Sequence, residues 1–419
     1  MDRVIRRGKN SNTMNFKSDF LHEFFARGFF AQATHPQELD DSLSSERITA
    51  YIGFDCTAKS LHAGSLIQIM ILRLLQKHGH KPIVLLGGGT TKIGDPSGKD
   101  EARQILSDQK IFENLTGIKK TLEKFIRFGG GASDAMMVNN DDWLRHLNYI
   151  DFLRDIGRHF SMNRMLGFDS VKTRLEREQP LSFLEFNYMI LQAYDFYELN
   201  KKYGCTLQIG GSDQWANIIN GVELIRKKGI ENFHQASFGL TSPLLTTSSG
   251  AKMGKTAEGA IWLDESMLSP FDYFQYFRNT HDADVGKFLK LFTDLELEKI
   301  AELEKQNINE AKKILAFEAT KICHGEKAAD AAMQKAHEIF VSKNSSAFET
   351  EEFLVEKKLT EILKYLGVSD SLGEAKRLIE GKAVKINGET VFDNNHQFND
   401  TGEFDLSVGK KKFFKILIK

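Results

Sequence analysis

The stretch Tyr51-Ile52-Gly53-Phe54-Asp55-Cys56-Thr57-Ala58-Lys59-Ser60-Leu61-His62-Ala63-Gly64-Ser65 joins a β-rich run, which starts at Ile48 and reaches Asp55, to a helical stretch from about Gly64 to His78. A further strand over Pro82–Leu86 runs into Gly87-Gly88-Gly89 and completes a βαβ unit. The alternation continues with a helix near Ser107–Phe128, a strand at Met136–Val138 and a long helix at Glu185–Lys202. A strand at Thr206–Ile209 and a helix at Ser212–Lys228 follow. Strands that alternate with helices predict an α/β fold around a parallel, doubly wound sheet.

Outward from this region the character of the chain changes. After about Pro270 the strands stop, and Phe271 to Phe340 reads as helices with acidic, lysine-rich and Ala-containing faces. Ser342–Glu352 is polar, poor in apolar residues, and reads as a linker. From Leu359 two short helices and then strands are expected, with Ser371-Leu372-Gly373-Glu374 as a capping box for the second helix. The boundaries that follow are an extension over 1–15, expected to be disordered, an α/β domain over 16–265 and an all-helical domain over 266–341. A linker over 342–356 and a small α+β domain over 357–419 complete them.

Composition narrows the function classes. With 419 residues, 41% hydrophobic and 27% charged, the chain is long enough for two or three globular domains. Lys plus Arg, at 56, balance Asp plus Glu, at 57, so a nucleic-acid partner has to be met by local basic patches. Cys56, Cys205 and Cys323 are scattered without disulfide or zinc spacing, which fits a reducing cytoplasm. No apolar run reaches the roughly 20 residues that span a bilayer. Met1 to Asn10 is basic and lacks the apolar core of a secretion signal; it reads as a short extension or an upstream start ahead of Met14, with an organellar transit peptide as the alternative.

Four constellations carry chemistry. His62 and Gly64 stand between a strand and a helix, where free N–H groups and a partial positive charge suit phosphate; by themselves they also fit a plain turn. Lys252-Met253-Gly254-Lys255-Thr256, after the Thr/Ser/Gly loop Thr246 to Gly250, forms a cationic clamp able to stabilise a departing pyrophosphate, although an isolated Lys-x-x-Lys loop also fits solvated charge. On the helix Glu185–Lys202, Tyr188, Gln192 and Asp195 lie at i, i+4 and i+7 among apolar neighbours, a polar stripe that faces either water or a pocket. Gln208-Ile209-Gly210-Gly211-Ser212-Asp213-Gln214-Trp215 follows a strand and opens a helix, with glycines that let the backbone approach a ribose or carboxyl group. Gly94-Asp95-Pro96-Ser97-Gly98-Lys99 fails as a P-loop: its glycines are one residue too close, and Asp100 follows the lysine.

The first block resembles the HIGH signature of class I aminoacyl-tRNA synthetases, in the Tyr-x-Gly-Phe-Asp-x-Thr-Ala form of the tyrosine-specific branch. Lys252 to Thr256, about 190 residues later, resembles the KMSKS signature. Ser65 departs from the pattern where a second histidine usually stands, and Cys56 where proline is usual; a serine hydroxyl still offers one hydrogen bond. The resemblance implies a Rossmann-like catalytic domain that activates L-tyrosine with ATP, accompanied by Mg²⁺, and transfers it to tRNA(Tyr), in a homodimer.

The same resemblance assigns roles. Tyr51 and Asp195 read the phenolic hydroxyl, Tyr188, Gln192 and Asp95 hold the ammonium, and Gln208 and Gln214 lie near the substrate. ATP contacts fall to Gly53, Asp55, Thr57, His62, Gly64, Ser65, Gly211, Asp213 and Lys255. Lys252, Lys255 and Thr256 close on the phosphates, and Lys99 and Arg103 belong to a basic loop near the pyrophosphate. A buried hydroxyl reader left without its hydroxyl strands polar groups, which disfavours phenylalanine.

The segment Glu374–Ile379 to Val384–Gly388 resembles a small RNA-binding αL fold, with Lys376, Arg377, Lys382 and Lys385 clustered there and Lys410, Lys411 and Lys412 near the end as further phosphate contacts. Two rivals are kept open. One is the tryptophan branch, against which Tyr51, Asp195 and the extra C-terminal domain speak. The other is a catalytically silent RNA-binding relative, against which Lys252, Lys255 and His62 speak.

Overall fold

Ala50, Ile52 and Phe54 are buried from one side of a strand, and Tyr51 is buried on the other, so Thr49–Asp55 is a strand covered on both faces, as a central strand of an α/β sheet must be. In the computed structural model the described residues are 4–6, 15–96, 106–229, 236–248, 250, 253–256, 259–340, 350–409 and 412–419. The chain divides into two units, Met1–Ala329 and Asp330–Lys419.

The first unit is built on a seven-stranded sheet. Its strands are β1 (Val4–Arg6), β2 (Gln32–Thr34), β3 (Thr49–Asp55), β4 (Lys81–Gly87), β5 (Met136–Asn139), β6 (Cys205–Gly211) and β7 (Phe238–Ser242). They run in the order β1-β2-β7-β6-β3-β4-β5. From β7 to β5 all pairs are parallel, as the βα alternation predicts. The chain leaves β3 toward β4 on one side and β6 toward β7 on the other. The strand order therefore switches between β3 and β6, and a crevice opens at their carboxyl ends.

The parallel sheet expected from the sequence carries an antiparallel addition at one side, where β2 pairs antiparallel with β7 and β1 antiparallel with β2. Both of these strands are three residues long, too short to show a period of two in the sequence. Strand β1 lies within the 1–15 extension, where disorder was expected; Val4 and Ile5 supply β propensity, and the free edge of β2 supplies a partner.

The helix Phe183–Tyr203 starts two residues ahead of its expected position, at a capping box in which the Ser182 hydroxyl accepts from the Glu185 N–H and the Glu185 carboxylate accepts from the Ser182 N–H. Glu185 also pairs with Arg174 at 3.2 Å, both side chains buried. The helix ends at Gly204 in the left-handed region, φ 62°. Trp215–Lys228 packs closely against it at Gly221, where a Cβ would come within 2.9 Å of Phe196. Beyond the sheet come the helices Pro270–Arg278, Asp282–Phe292, Leu297–Leu303, Ile308–His324 and Glu326–Phe340.

The second unit carries a five-stranded sheet and the helices Leu359–Tyr365 and Leu372–Glu380, around a core that includes Leu359, Ile362, Leu363, Ala375, Ile379 and Ile416. Its first strand, Thr350–Phe353, falls within the stretch read as linker and pairs parallel with Lys412–Ile418. Only Phe353 of the four residues is buried, so the polar composition concealed an edge strand. The cap at Ser371 also differs by half. Its hydroxyl accepts from the Glu374 N–H as expected, but the Glu374 carboxylate reaches the N–H of Asp370 instead.

Candidate active site

At the switch between β3 and β6 lies a cleft of about 360 Å³. Alternation along β3 sends Tyr51, Gly53 and Asp55 to one face, and all three line it. Tyr51 and Gln208 are direct cross-strand partners, so the register of β3 on β6 sets them side by side. The polar stripe of the long helix faces this cleft and not water: Tyr188, Gln192 and Asp195 all line it, together with Asp95, Gln214, Asp213, Gly211, Thr57, His62, Gly64 and Ser65.

One end is buried and already paired. Asp195, 1% exposed, accepts from Trp143 Nε1 at 2.7 Å and from Asn140 Nδ2 at 2.9 Å. Burial pushes its carboxyl up to about 7, against the lowering effect of those two donors. The Tyr51 hydroxyl and Gln208 Oε1 are buried without a hydrogen-bond partner among the described residues. Unpaired buried polar atoms beside a buried carboxylate suit a pocket for a polar ligand group.

A hydrogen-bonded chain runs outward from there. Asn140 Nδ2 also donates to Thr90 Oγ1 at 2.9 Å, Thr90 donates to Asp55 Oδ1 at 2.8 Å, and the Tyr188 hydroxyl donates to Asp55 Oδ2 at 3.0 Å. Burial, with Asp55 and Asp95 nearby, drives the Tyr188 phenol far above its usual range, so it stays protonated. On the other wall Asn217 holds two glutamines, Gln192 Oε1 at 2.9 Å and Gln214 Oε1 at 3.1 Å, while Gln214 Nε2 donates to Asp95 at 2.8 Å. The described lining carries four aspartates, Asp55, Asp95, Asp195 and Asp213, and no lysine or arginine. Such a negative lining attracts an ammonium group.

The other end is made of backbone. His62 caps the turn Ala63–Ser65, its Nδ1 accepting from the Gly64 N–H at 3.0 Å, which leaves the proton of the neutral ring on Nε2. The Ser65 side chain caps nothing in the helix that follows, Leu66–Lys77, and it lines the cleft. Gly53 is exposed in the cleft, where a Cβ would meet nothing nearer than Leu85 at 3.9 Å. Its missing side chain leaves room for a ligand and is not demanded by packing.

Gly254 sits with φ 88° directly on this turn, and a Cβ there would stand 2.4 Å from the Gly64 nitrogen. The two signature segments therefore touch through their glycines. Lys255 and Thr256 form a short strand paired with Gly259–Ala260. Lys252, Lys99 and Arg103 lie outside the described residues, as do Lys410 and Lys411.

In the second unit Lys376, Arg377, Lys382 and Lys385 are all exposed, and Lys412 belongs to its last strand. Lys382 lies 5.7 Å above the ring of Phe392, which is 69% exposed, an aromatic next to a basic patch that the lysine count did not reveal.

Four contributors escaped the sequence reading of the first unit: Asn140, Trp143, Asn217 and Thr90. The signal for the first two was present in Val138-Asn139-Asn140-Asp141-Asp142-Trp143, a polar cluster at the carboxyl end of a parallel strand, where ligands of such sheets bind.

Residues 43–341 match the family of class I tRNA synthetases for tryptophan and tyrosine. The tyrosine–tRNA ligase of Ehrlichia ruminantium (strain Welgevonden) is 57% identical, over 97% of this chain and 99% of that protein. That of Caulobacter sp. (strain K31) is 54% identical, over 98% and 99%. Among solved structures, a C-terminally truncated mitochondrial tyrosyl-tRNA synthetase from Aspergillus nidulans superposes with a TM-score of 0.69 at 31% identity, covering 77% of this chain and 94% of that one. A tryptophanyl-tRNA synthetase from Encephalitozoon cuniculi, at 13% identity and a TM-score of 0.53, shares the fold.

Proposed function

The chain belongs to the class I tRNA synthetases for tryptophan and tyrosine, and from that premise we infer that it is a tyrosine–tRNA ligase that activates L-tyrosine with ATP and loads it onto tRNA(Tyr). The observation that carries tyrosine, as opposed to tryptophan, is the buried trio of Asp195, Tyr51 and Gln208 at the closed end of the cleft.

In the proposed reaction the phenol O–H of the substrate donates to ionised Asp195, and Tyr51 donates to the phenolic oxygen. Asp95, Tyr188 and Gln192 surround the ammonium group, and Gln208 and Gln214 border the amino acid. The tyrosine carboxylate is already ionised at neutral pH. It attacks the α-phosphorus of ATP in line, the bond to the β-phosphate oxygen breaks, and tyrosyl-adenylate and pyrophosphate form without a catalytic base. A hydroxyl of the terminal tRNA ribose then attacks the acyl carbon, and AMP leaves.

ATP takes its place over Gly53, Asp55, Thr57, Gly211 and Asp213, with Nε2 of His62 and the Ser65 hydroxyl at the phosphates. Negative charge that moves onto pyrophosphate meets Lys252, Lys255 and Thr256, joined by Lys99 and Arg103. Mg²⁺ enters as part of the substrate, the ATP complex. Among the described residues no group of three or more His, Cys, Asp or Glu gathers in a way that could hold a metal ion.

Three further assignments rest on narrower support. A homodimer is proposed because exposed apolar side chains concentrate between residues 149 and 184, among them Tyr149, Ile150, Met162 and Phe183, each more than half exposed. Contact with tRNA is proposed for Lys376, Arg377, Lys382 and Lys385, with Lys410, Lys411 and Lys412 beside them. Cytoplasmic location fits three free, buried cysteines, and no helix among the described residues is long and apolar enough to cross a membrane.

Amino-acid-dependent exchange of pyrophosphate into ATP tests the reading. Tyrosine is expected to support it; exchange with tryptophan alone, or RNA binding with no exchange at all, overturns it.

A further inference from the structure

The loop that carries the second signature is tied down from outside the sheet. Its base closes where the Met253 N–H donates to Leu245 O at 3.0 Å, and its far side is held where the Ile261 N–H donates to Gly254 O at 3.1 Å. Between these points, three groups from two consecutive helices reach it. Asp284, in the first turn of Asp282–Phe292 and 5% exposed, accepts from the Ser248 N–H at 2.8 Å. Lys287, one turn further along the same helix, donates to Thr246 O at 3.1 Å. Tyr276, on Pro270–Arg278, receives a hydrogen bond from the Gly254 backbone.

All three bonds go to loop backbone, so they specify where the loop sits and not which side chains it carries. The helices lie beyond the last strand of the catalytic sheet in sequence. They nevertheless hold the segment whose Met253 and Gly254 rest on the His62–Gly64 turn. A carboxylate in the first turn of a helix is favoured by the helix dipole, and its bond to a backbone N–H is charge-assisted. Asp284 is therefore the firmest of the three ties.

We propose that Asp284 is a positioning residue for tyrosine activation: with Lys287 and Tyr276 it fixes the loop against the His62–Gly64 turn, so that Lys252 and Lys255 meet the departing pyrophosphate. The proposal rests on the reading of those lysines as the pyrophosphate clamp. It makes the helical segment part of the activation step, in addition to whatever it offers to tRNA. Because the loop acts on charge that appears only in the transition state, loosening it reduces kcat and spares tyrosine affinity.

The test is pyrophosphate exchange with Asp284→Ala, Asp284→Asn and Lys255→Ala, with tyrosine affinity measured separately by equilibrium binding. For Asp284→Ala a fall of roughly 10- to 100-fold in kcat is expected, the scale of a catalytic group displaced by about 1 Å. Its tyrosine affinity should stay within about twofold. Asp284→Asn keeps an oxygen for the Ser248 N–H and should recover most of the loss. Asp284→Ala should also add little to the defect of Lys255→Ala, because both act through one loop. An unchanged kcat in Asp284→Ala beside a large loss in Lys255→Ala overturns the positioning role alone. No loss in Lys255→Ala overturns the clamp reading beneath it. Loss of tyrosine binding in Asp284→Ala, without recovery in Asp284→Asn, marks a general structural role and also overturns the proposal.

Discussion

The two ends of the cleft are built on opposite plans. At the closed end the side chains are buried and held in place: Asp195 has two donors, and Asn140 and Asn217 hold their neighbours, while the Tyr51 hydroxyl and Gln208 Oε1 are left for a ligand in the proposed reaction. At the open end the described surface is glycine, turn and backbone N–H, and its lining holds no lysine or arginine. In the proposed reaction, positive charge for the phosphates arrives on loops. Rigid, low-dielectric pairing suits a small substrate that must be told from near-copies, whereas charge that is needed only as pyrophosphate departs is better delivered by a separate element.

The largest effect expected from breaking this contrast is at the open end. Lys255→Ala should lower kcat for exchange by about 10²- to 10³-fold with little change in the KM for tyrosine, in line with the removal of one transition-state donor. Steady-state exchange kinetics check it. A change confined to KM would mean that the loop binds substrate rather than transition state.

At the closed end, Asn140→Ala removes a donor to Asp195 and to Thr90, and also the acceptor for the Gly89 N–H at 2.8 Å. Stranded buried groups cost about 1–3 kcal/mol, so kcat/KM for tyrosine should fall by roughly 5- to 150-fold, with kcat/KM for ATP at saturating tyrosine much less affected. Denaturant titration should show a parallel loss of stability.

The raised carboxyl of Asp195 predicts a pH dependence with a definite sign. If its charged form accepts the phenol O–H, tyrosine affinity should improve as pH rises through about 7 and weaken roughly tenfold per unit below it. The free protein behaves oppositely. Folded Asp195 keeps a proton between about pH 4 and pH 7 that the unfolded chain has lost, so this residue's contribution to stability is present at acid pH and disappears as pH rises through 7. Asn140→Ala, which removes a donor that lowers the carboxyl, should move the midpoint of tyrosine binding upward.

The smallest effect belongs to the second unit. Lys382→Ala with Lys385→Ala should raise the KM for tRNA several-fold, less so at high salt, and leave pyrophosphate exchange untouched. A change in exchange would mean that these residues influence more than tRNA.

How far the sequence could be read follows the same division. Strands β3, β4, β5 and β6 were legible as short apolar or β-branched runs, and the helices Leu66–Lys77, Asp108–Glu123, Phe183–Tyr203 and Trp215–Lys228 by their length and spacing, whereas the short helices Asp141–Leu144, Tyr149–Asp155, Met162–Leu166 and Asp169–Glu176 were not. The polar stripe of Tyr188, Gln192 and Asp195 could be placed on one face, but the choice between pocket and solvent depended on packing. Strand β7 was not legible: all five of its residues are buried, so no alternation shows, and Gly239 weakens its β signal. Strands β1 and β2 and the strand Thr350–Phe353 were too short or too polar. Asn140 and Trp143 were missed for another reason: the polar cluster after β5 marks a strand end where ligands bind, but their partner Asp195 lies more than 50 residues away, so the cluster does not say which of its residues serve the site.

The central claim is that the closed end reads the phenolic hydroxyl. Pyrophosphate exchange with tyrosine and with phenylalanine, compared in the unmodified enzyme and in Asp195→Ala, tests it most directly. The account predicts that the unmodified enzyme strongly prefers tyrosine, and that Asp195→Ala loses tyrosine activity far more than phenylalanine activity, so that the preference collapses. Equal losses for both amino acids, or a preference that survives the substitution, would contradict it.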